Sequence, residues 1–530
     1  EVPCAHMEPR GEDVRATIPA ALHRAVAAWG DRDFIVTPDR RMTYREAEAG
    51  SRRLAERMVA AGIGKGTRVG VYLTYGQEWV LTWLAASRIG ALLMPLATTY
   101  RPAEIRKVLR IGDIDTLITA RVVLGRDMQD VLEASVPGLA DASGPRLLLP
   151  DTPYLRSVWI SPDTDRAWAT PVELEAPPAD DAVTDEMLAA MEAEVTPADL
   201  AQVTYTSGSS ADPKGVVHTQ GVVLRATEFL GAGTAADAAP PTYFCAFPFF
   251  WIGGTLILGS ALQTGATVAC IERFEPGAAL DLIEAEQADL VLGWPTLLQS
   301  MRDHPTFADR ALPAIPGLTV GPSDVALNDA PIPGIPAHRG MSETVGNFSI
   351  VEARCFDPVT GREQPEMEEG ELWLRGPGVL HGYYKREREE VFDDNGWFHT
   401  GDRVFMSGGR PFFVGRFTEM VKSQGANVAP REVELFLETF PEVLYAFVLG
   451  MPHPDRGEEV VAVLVPSKDH TIDPGDVEAR AREEISGYKV PTRIEVWAED
   501  AVPWLGSGKP DKLAIRTRLD PPTVDGGTSR

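Results

Sequence analysis

Positive charge is scarce in this sequence: 50 Lys and Arg stand against 77 Asp and Glu, a formal net charge of −27. Such a surface repels phosphate backbones, so nucleic acid is excluded as the expected partner. Cysteine is scarcer still. Cys4, Cys245, Cys270 and Cys355 form no C-x-x-C pair and no metal-ligand spacing. Cys245 and Cys270 lie in apolar runs, as buried small residues do. A few unpatterned thiols fit a reducing compartment, and the cytoplasm is the expected location. Long apolar runs are missing too. The longest candidate, Trp79 to Met94, is interrupted by Arg88 and Gly90, so no transmembrane segment is expected. Residues 1–15 hold no apolar signal-peptide core, and the first of them, ending His6-Met7, read as a tag remnant. No internal repeat is visible.

What is present is a chain of 530 residues, too long for one compact core, so two or more domains are expected. Thr43 followed by Glu46 is a capping-box signature, and Tyr44, Ala47, Leu54 and Met58 continue it as a helical stripe that Gly62 ends. Val69 to Leu73 reads as a strand, Glu78 to Ile89 as a helix and Ala91 to Leu96 as a strand. The same alternation returns at Thr267 to Ile271, Gly277 to Glu286 and Leu290 to Leu292. Short connections of this kind imply parallel strands covered by helices. The stretch from about Pro150 to Asp185, rich in Pro, Asp and Thr, reads as a surface excursion. From Ser423 the character changes. Helices are expected over Val433 to Thr439 and Val477 to Ile485, and strands over Ala446 to Leu449, Val460 to Val465 and Arg493 to Trp497. This is a separate α+β domain of ordinary size, with a loose polar tail after Leu519. The expected fold class is α/β, with a large N-terminal domain of helix-covered sheets over residues 8–417 and a small mobile C-terminal α+β domain over 418–530.

The stretch Tyr205-Thr-Ser-Gly-Ser-Ser-Ala-Asp-Pro-Lys-Gly215 gathers hydroxyls at Thr206, Ser207, Ser209 and Ser210, mobile backbone at Gly208 and Gly215, and a cation at Lys214. Exposed N–H groups, hydroxyl donors and one ammonium are the components of a phosphate cradle. The lysine does not have the Walker A spacing, and no Ser or Thr follows it. Four further motifs follow in order: Gly340-Met-Ser-Glu-Thr344, Gly396-Trp-Phe-His-Thr-Gly-Asp402, Gly415-Arg416 with Lys422 and Gly425 beyond, and Gly506-Ser-Gly-Lys509. Gly370-Glu-Leu-Trp-Leu-Arg-Gly376 and Gly382-Tyr-Tyr384 precede the T-G-D triplet, which alone would be read as a turn.

Together these segments resemble the acyl- and aryl-CoA synthetase branch of the adenylate-forming superfamily, from about Ile18 to Lys512. The resemblance implies that the loop of Thr206, Ser207, Gly208, Ser209, Ser210 and Lys214 closes on the β- and γ-phosphates of ATP. It places Ser342 on the α-phosphate, Glu343 on Mg²⁺, and Asp402 and Arg416 on the ribose. Lys509 bridges the acid's carboxylate and the α-phosphate. Arg339, beside Gly340 and Met341, stands where the family often stacks an aromatic ring on adenine. Ala211 replaces a usual glycine. Thr418 stands at the hinge in place of Asp or Lys, and Gly425 marks the side facing the acceptor. The segment Phe247 to Gly254 resembles the wall of the acid tunnel, with Trp251 in place of a usual His. Phe250, Trp251, Gly253 and Trp294 are the expected pocket residues, flat enough for an aromatic acid and equally suited to core packing. Between Gly346 and Val351 the chain is much shorter than the family pattern.

The implied activity is ATP-dependent adenylation of a carboxylic acid, aromatic or acyl, with release of pyrophosphate, and then transfer to CoA. The cofactor set is ATP, Mg²⁺ and CoA as co-substrate, and a homodimer is left open. An alternative keeps ATP activation but uses a non-CoA acceptor, such as a carrier protein, or activates nitrite to diazotise an aromatic amine in natural-product biosynthesis. A catalytically dead binding protein is the third reading; the intact Lys509, Glu343 and Asp402 speak against it.

Overall fold

The computed structural model describes residues 16–520 apart from 177–182, 207–212, 226–238, 294, 316–317, 320–341, 344–350, 359, 417–420, 424–425, 429, 455–456, 469 and 504–511. The described chain forms two compact units. One comprises residues up to 98, 105–205 and 215–415; the other comprises 99–104, 206–214 and residues from 416 onward.

Local chemistry sets the first helices. Thr43 accepts a hydrogen bond from the Glu46 amide, Glu46 accepts one from the Thr43 amide at 2.8 Å, and the helix Tyr44–Ala60 begins there. The next helix, Gln77–Arg88, is buried on nearly every side, because it runs within the core that two largely parallel sheets share. The larger sheet has eight strands in the order Gly382–Tyr383, Lys214–Thr219, Leu200–Thr206, Leu92–Pro95, Arg68–Tyr72, Thr116–Ala120, Ser157–Ser161, Thr170–Pro171. The pairs from Arg68–Tyr72 outward to Thr170–Pro171 are parallel, and the pairing of Lys214–Thr219 with Gly382–Tyr383 is antiparallel. The second sheet orders Leu290–Leu292, Thr242–Cys245, Thr267–Ala269, Asp33–Thr37 and Arg40–Thr43. Cys245 and Cys270 are buried here, and burial pushes the Cys245 thiol up to about 12.

Arg88 interrupts the apolar face of its helix, yet it is only 1% exposed. Glu48 and Glu192 pair with it, and Ser51 Oγ accepts from its Nε at 3.1 Å. The expectation of a surface excursion over 150–185 is corrected. Ser157–Ser161 is a strand of the eight-stranded sheet, paired with Thr116–Ala120 and covered on both faces at Val158, Trp159 and Ile160. A strand buried on both faces shows no alternation, and five residues framed by Pro and Asp do not announce themselves.

A third, antiparallel sheet orders Ser342–Glu343, Arg410–Arg416, Phe398–Ser407, Glu369–Arg375 and Glu352–Phe356. In the second unit, Val443–His453 and Gly457–Pro466 form a long hairpin, and Gly457–Pro466 also pairs with Arg493–Val496 in parallel and with Val421–Ser423 in antiparallel fashion, with the helices Pro430–Leu437, Pro474–Glu484 and Lys512–Leu519. Inside this unit Lys489, 4% exposed, donates to Glu104 Oε1 at 2.8 Å and Glu432 Oε1 at 3.1 Å, while Ser486 Oγ donates to Glu104 Oε2 at 2.7 Å. Among the described residues no helix is long and apolar enough to cross a membrane.

Candidate active site

Two neighbouring strands of the eight-stranded sheet frame the hydroxyl-rich loop. Leu200–Thr206 enters it and Lys214–Thr219 leaves it. Their approach is close at Gly215, where a Cβ would lie 2.7 Å from Val203 Cγ1 and 3.1 Å from both Tyr205 Cε1 and Tyr384 Cβ. Any larger residue would have to displace the Val203 side chain. Lys214 opens the exit strand and is half-buried. Four residues on, His218 is enclosed, its Nε2 has no hydrogen-bond partner among the described residues, and burial lowers its imidazole to about 4. A lowered histidine favours the folded state above the unfolded value near 6.5, and that contribution is lost as pH falls from there toward 4. Urea denaturation between pH 7.5 and 4.5 should show this loss at up to about 1.4 kcal/mol per pH unit. In His218→Leu that component should vanish, and an unchanged slope would remove His218 as its source.

The third sheet holds the other named groups. Ser342 pairs with Phe413 and Glu343 with Phe412, so their backbone lies one strand away from Phe398–Ser407, which carries Asp402. Arg416 is the last residue of the strand between them. On the edge facing Glu369–Arg375, Asp402 lies where the ladder is irregular. Glu371 pairs with Arg403 and Trp373 with His399, so Leu372 alone faces Thr400, Gly401 and Asp402. The triplet bulges, and Gly401 takes φ +72° to let it do so. The bulge is tied down by its own bonds. Thr400 Oγ1 donates to the Leu372 carbonyl at 2.7 Å, and the Asp402 amide donates to Thr400 Oγ1 at 3.0 Å. The Gly401 amide donates to Glu371 Oε1 at 2.8 Å, and the Trp373 indole donates to Glu371 Oε2 at 2.9 Å. A bulge of this kind re-aims a side chain away from the pleat.

The aromatic segment precedes the helix Ile252–Thr264, with Trp251 in extended conformation at its N-cap. Phe250 is buried, meets Trp251 edge-on at 5.5 Å between centroids, and meets Tyr75 at 6.4 Å. Gly253 lies beside Phe247. A buried amide joins this segment to the strand entering the loop. Gln202 Nε2 donates to Thr204 Oγ1 at 3.0 Å and Thr255 Oγ1 at 3.1 Å, and Phe249 O lies 3.2 Å from that same hydroxyl. The aromatic segment and the loop's entry strand are therefore one hydrogen-bonded piece.

Ser207, Gly208, Ser209, Ser210, Trp294, Arg339, Gly340, Met341, Thr418, Gly425 and Lys509 lie outside the described residues, as do Ala211 and the short stretch 347–350. Thr206, Ser342, Glu343 and Arg416 are placed by backbone alone. Two groups were not singled out from sequence: Glu371 and Trp373, which hold the bulge. Their signal was present in the Gly370–Gly376 motif, but nothing local connects that motif to Gly401, thirty residues on.

Comparisons with known proteins point to one family. The family model described as AMP-binding enzyme matches residues 22–323, and that of the AMP-binding enzyme C-terminal domain matches 432–509. A feruloyl-CoA synthase from an Amycolatopsis species is 31% identical over 521 residues, 90% of this chain and 94% of its own. A sulfoacetate–CoA ligase from Cupriavidus necator is 27% identical over 95% of this chain and 98% of its own. Among solved structures, an amide bond synthetase from Marinactinospora thermotolerans superposes with a TM-score of 0.74 at 23% identity, covering 94% of this chain and 99% of that one.

Proposed function

We propose a two-step ligase reaction for a chain that belongs to the AMP-binding enzyme family, in its acyl- and aryl-CoA synthetase branch. It is an ATP-dependent acid–CoA ligase. A carboxylate oxygen attacks the α-phosphorus of ATP; the bond to the bridging oxygen breaks, pyrophosphate leaves and an acyl-adenylate forms. The CoA thiol then attacks the acyl carbon, releasing AMP and a proton. No observation favours the nitrite or carrier-protein alternative. The acids of these two relatives, ferulate and sulfoacetate, differ too widely for either to transfer directly. The Phe250 and Trp251 faces support an aromatic acid.

In the first step two anions must approach, so stabilisation of negative charge dominates the barrier. The loop of Thr206 to Lys214 holds the β- and γ-phosphates, Ser342 touches the α-phosphate, Lys509 neutralises the attacking carboxylate, and Asp402 with Arg416 holds the ribose. Glu343 offers one carboxylate beside those phosphates. A single carboxylate completed by phosphate oxygens and water is a donor set that suits Mg²⁺, which when bound would spread the charge developing on the leaving pyrophosphate. The proposed domains are 8–417 and 418–530. A hinge at Thr418 would bring Lys509 in for the first step, and Gly425 to the acceptor side for the second.

The observation that most supports the nucleotide assignment is the bulge at Asp402, opposite Leu372, on the sheet that also carries Ser342 and Glu343. Asp402→Ala deletes the acceptor for two ribose hydroxyls, and each charged hydrogen bond contributes about 1.5–3 kcal/mol. Calorimetry should show ATP affinity reduced at least about tenfold, and unchanged affinity removes the assignment. The reaction itself is tested by AMP and pyrophosphate release with a panel of aromatic and aliphatic acids, with and without CoA. Pyrophosphate release that depends on acid, with no CoA thioester by mass spectrometry, would overturn the second step.

A further inference from the structure

Glu371 is only 8% exposed, and both of its carboxylate oxygens are taken by neutral donors, the Gly401 amide and the Trp373 indole. Burying a carboxylate without a cation is unfavourable, and an apolar residue would fill the same space more cheaply. The two bonds give the charge a task. Bulged residues lose their ladder partners, and the Gly401 amide must find another acceptor or remain unpaired. Glu371 is that acceptor, and it acts one residue before Asp402. Trp373 in turn is fixed by stacking on Phe356 at 4.2 Å and on His399 at 3.9 Å between centroids. The chain of support runs from an aromatic stack, through one carboxylate, to the tip of the bulge.

We propose that Glu371 is a positioning residue for ribose recognition: by clamping the Gly401 amide from the neighbouring strand, it sets where Asp402 presents its carboxylate. This rests on the reading of Asp402 as the ribose acceptor. The chemistry also says why glutamate is used. Two N–H groups converge on the side chain, and a carboxylate accepts from both. Glutamine has one acceptor oxygen and turns an NH₂ toward the second donor, so it can satisfy Gly401 or Trp373 but not both. Aspartate keeps the charge but withdraws it by one methylene.

The experiment compares ATP with 2′-deoxy-ATP in pyrophosphate-release assays, taking the ratio of kcat/KM as the readout. Wild type should favour ATP by at least about tenfold, the equivalent of one charged hydrogen bond. Glu371→Gln should reduce that ratio several-fold, mainly through the KM for ATP. Glu371→Gln combined with Trp373→Phe, which removes the competing indole donor, should regain part of it. General loosening of the fold would lower activity with both nucleotides alike and leave the ratio unchanged. Asp402→Asn is the control. If it abolishes the ratio while Glu371→Gln preserves it, the positioning role is overturned and the ribose reading stands. If Asp402→Asn itself preserves the ratio, both are overturned. Should Glu371→Gln fail to fold, Glu371→Asp serves instead: a reduced ratio supports the clamp, and a wild-type ratio overturns it.

Discussion

Lys509→Ala is expected to slow adenylate formation by about two to three orders of magnitude, the usual effect of removing one preorganised donor from developing negative charge. The reason is the sign of the reactants. A carboxylate and an α-phosphate repel, and in the proposed mechanism Lys509 is the cation at that junction. The second step has a different demand. A thiol attacks a neutral acyl carbon, and AMP is a good leaving group without help from Lys509. Given preformed acyl-adenylate and CoA, the mutant should therefore form thioester at close to the wild-type rate. Thr418→Pro should show the reverse, because a fixed φ restricts the backbone rotation and leaves the first constellation intact. Single-turnover kinetics of each half-reaction with both mutants is the measurement. Equal slowing of both halves by Lys509→Ala would end the two-orientation mechanism for this protein.

Lys489→Met should destabilise the second unit by about 3–5 kcal/mol, the range for removing one partner from a buried ion cluster. Burial alone would lower the pKa of this ammonium, but Tyr488, Glu432 and Glu104 outweigh it and hold the group above its ordinary value. Without the cation, Glu104 and Glu432 face each other unneutralised, and Glu432 Oε2 is already without a partner among the described residues. A raised lysine contributes its stability fully below the unfolded value near 10.4 and loses it only as pH climbs past the folded one. The loss in Lys489→Met should thus be the same at pH 6 and pH 9. Chemical denaturation at both values tests this, and a loss under 1 kcal/mol would mean that the two carboxylates relax into solvent.

The contrast between Thr43 and Glu371 explains how far the sequence could be read. The Thr43–Glu46 cap is complete within four residues, so its geometry follows from composition and spacing alone. The alternating strands and helices around Val69 and Thr267 were legible for the same reason, since each is bounded by its own turn chemistry. Ser157–Ser161 was not, because its partner on the sheet, Thr116–Ala120, lies forty residues away and its burial depends on both covering layers. Lys489 gave no signal, since an isolated lysine reads as surface until Glu104, nearly four hundred residues earlier, is folded against it. For the proposed site, the hydroxyl-rich loop and the T-G-D triplet were visible as motifs. The motifs do not contain the bulge register that aims Asp402, because register belongs to two strands at once.

The eight-stranded sheet ends on both sides in strands of only two residues, Gly382–Tyr383 and Thr170–Pro171. Each leaves little unpaired backbone, and Pro171 removes one donor altogether. A wide, flat, apolar sheet is a template on which a neighbouring molecule can add its own strand. Here the template stops at two stubs too short to nucleate such growth. The consequence is colloidal: Pro171→Val, which restores an N–H to the exposed margin and changes nothing in the proposed chemistry, should leave turnover intact while lowering the concentration at which the protein self-associates on warming.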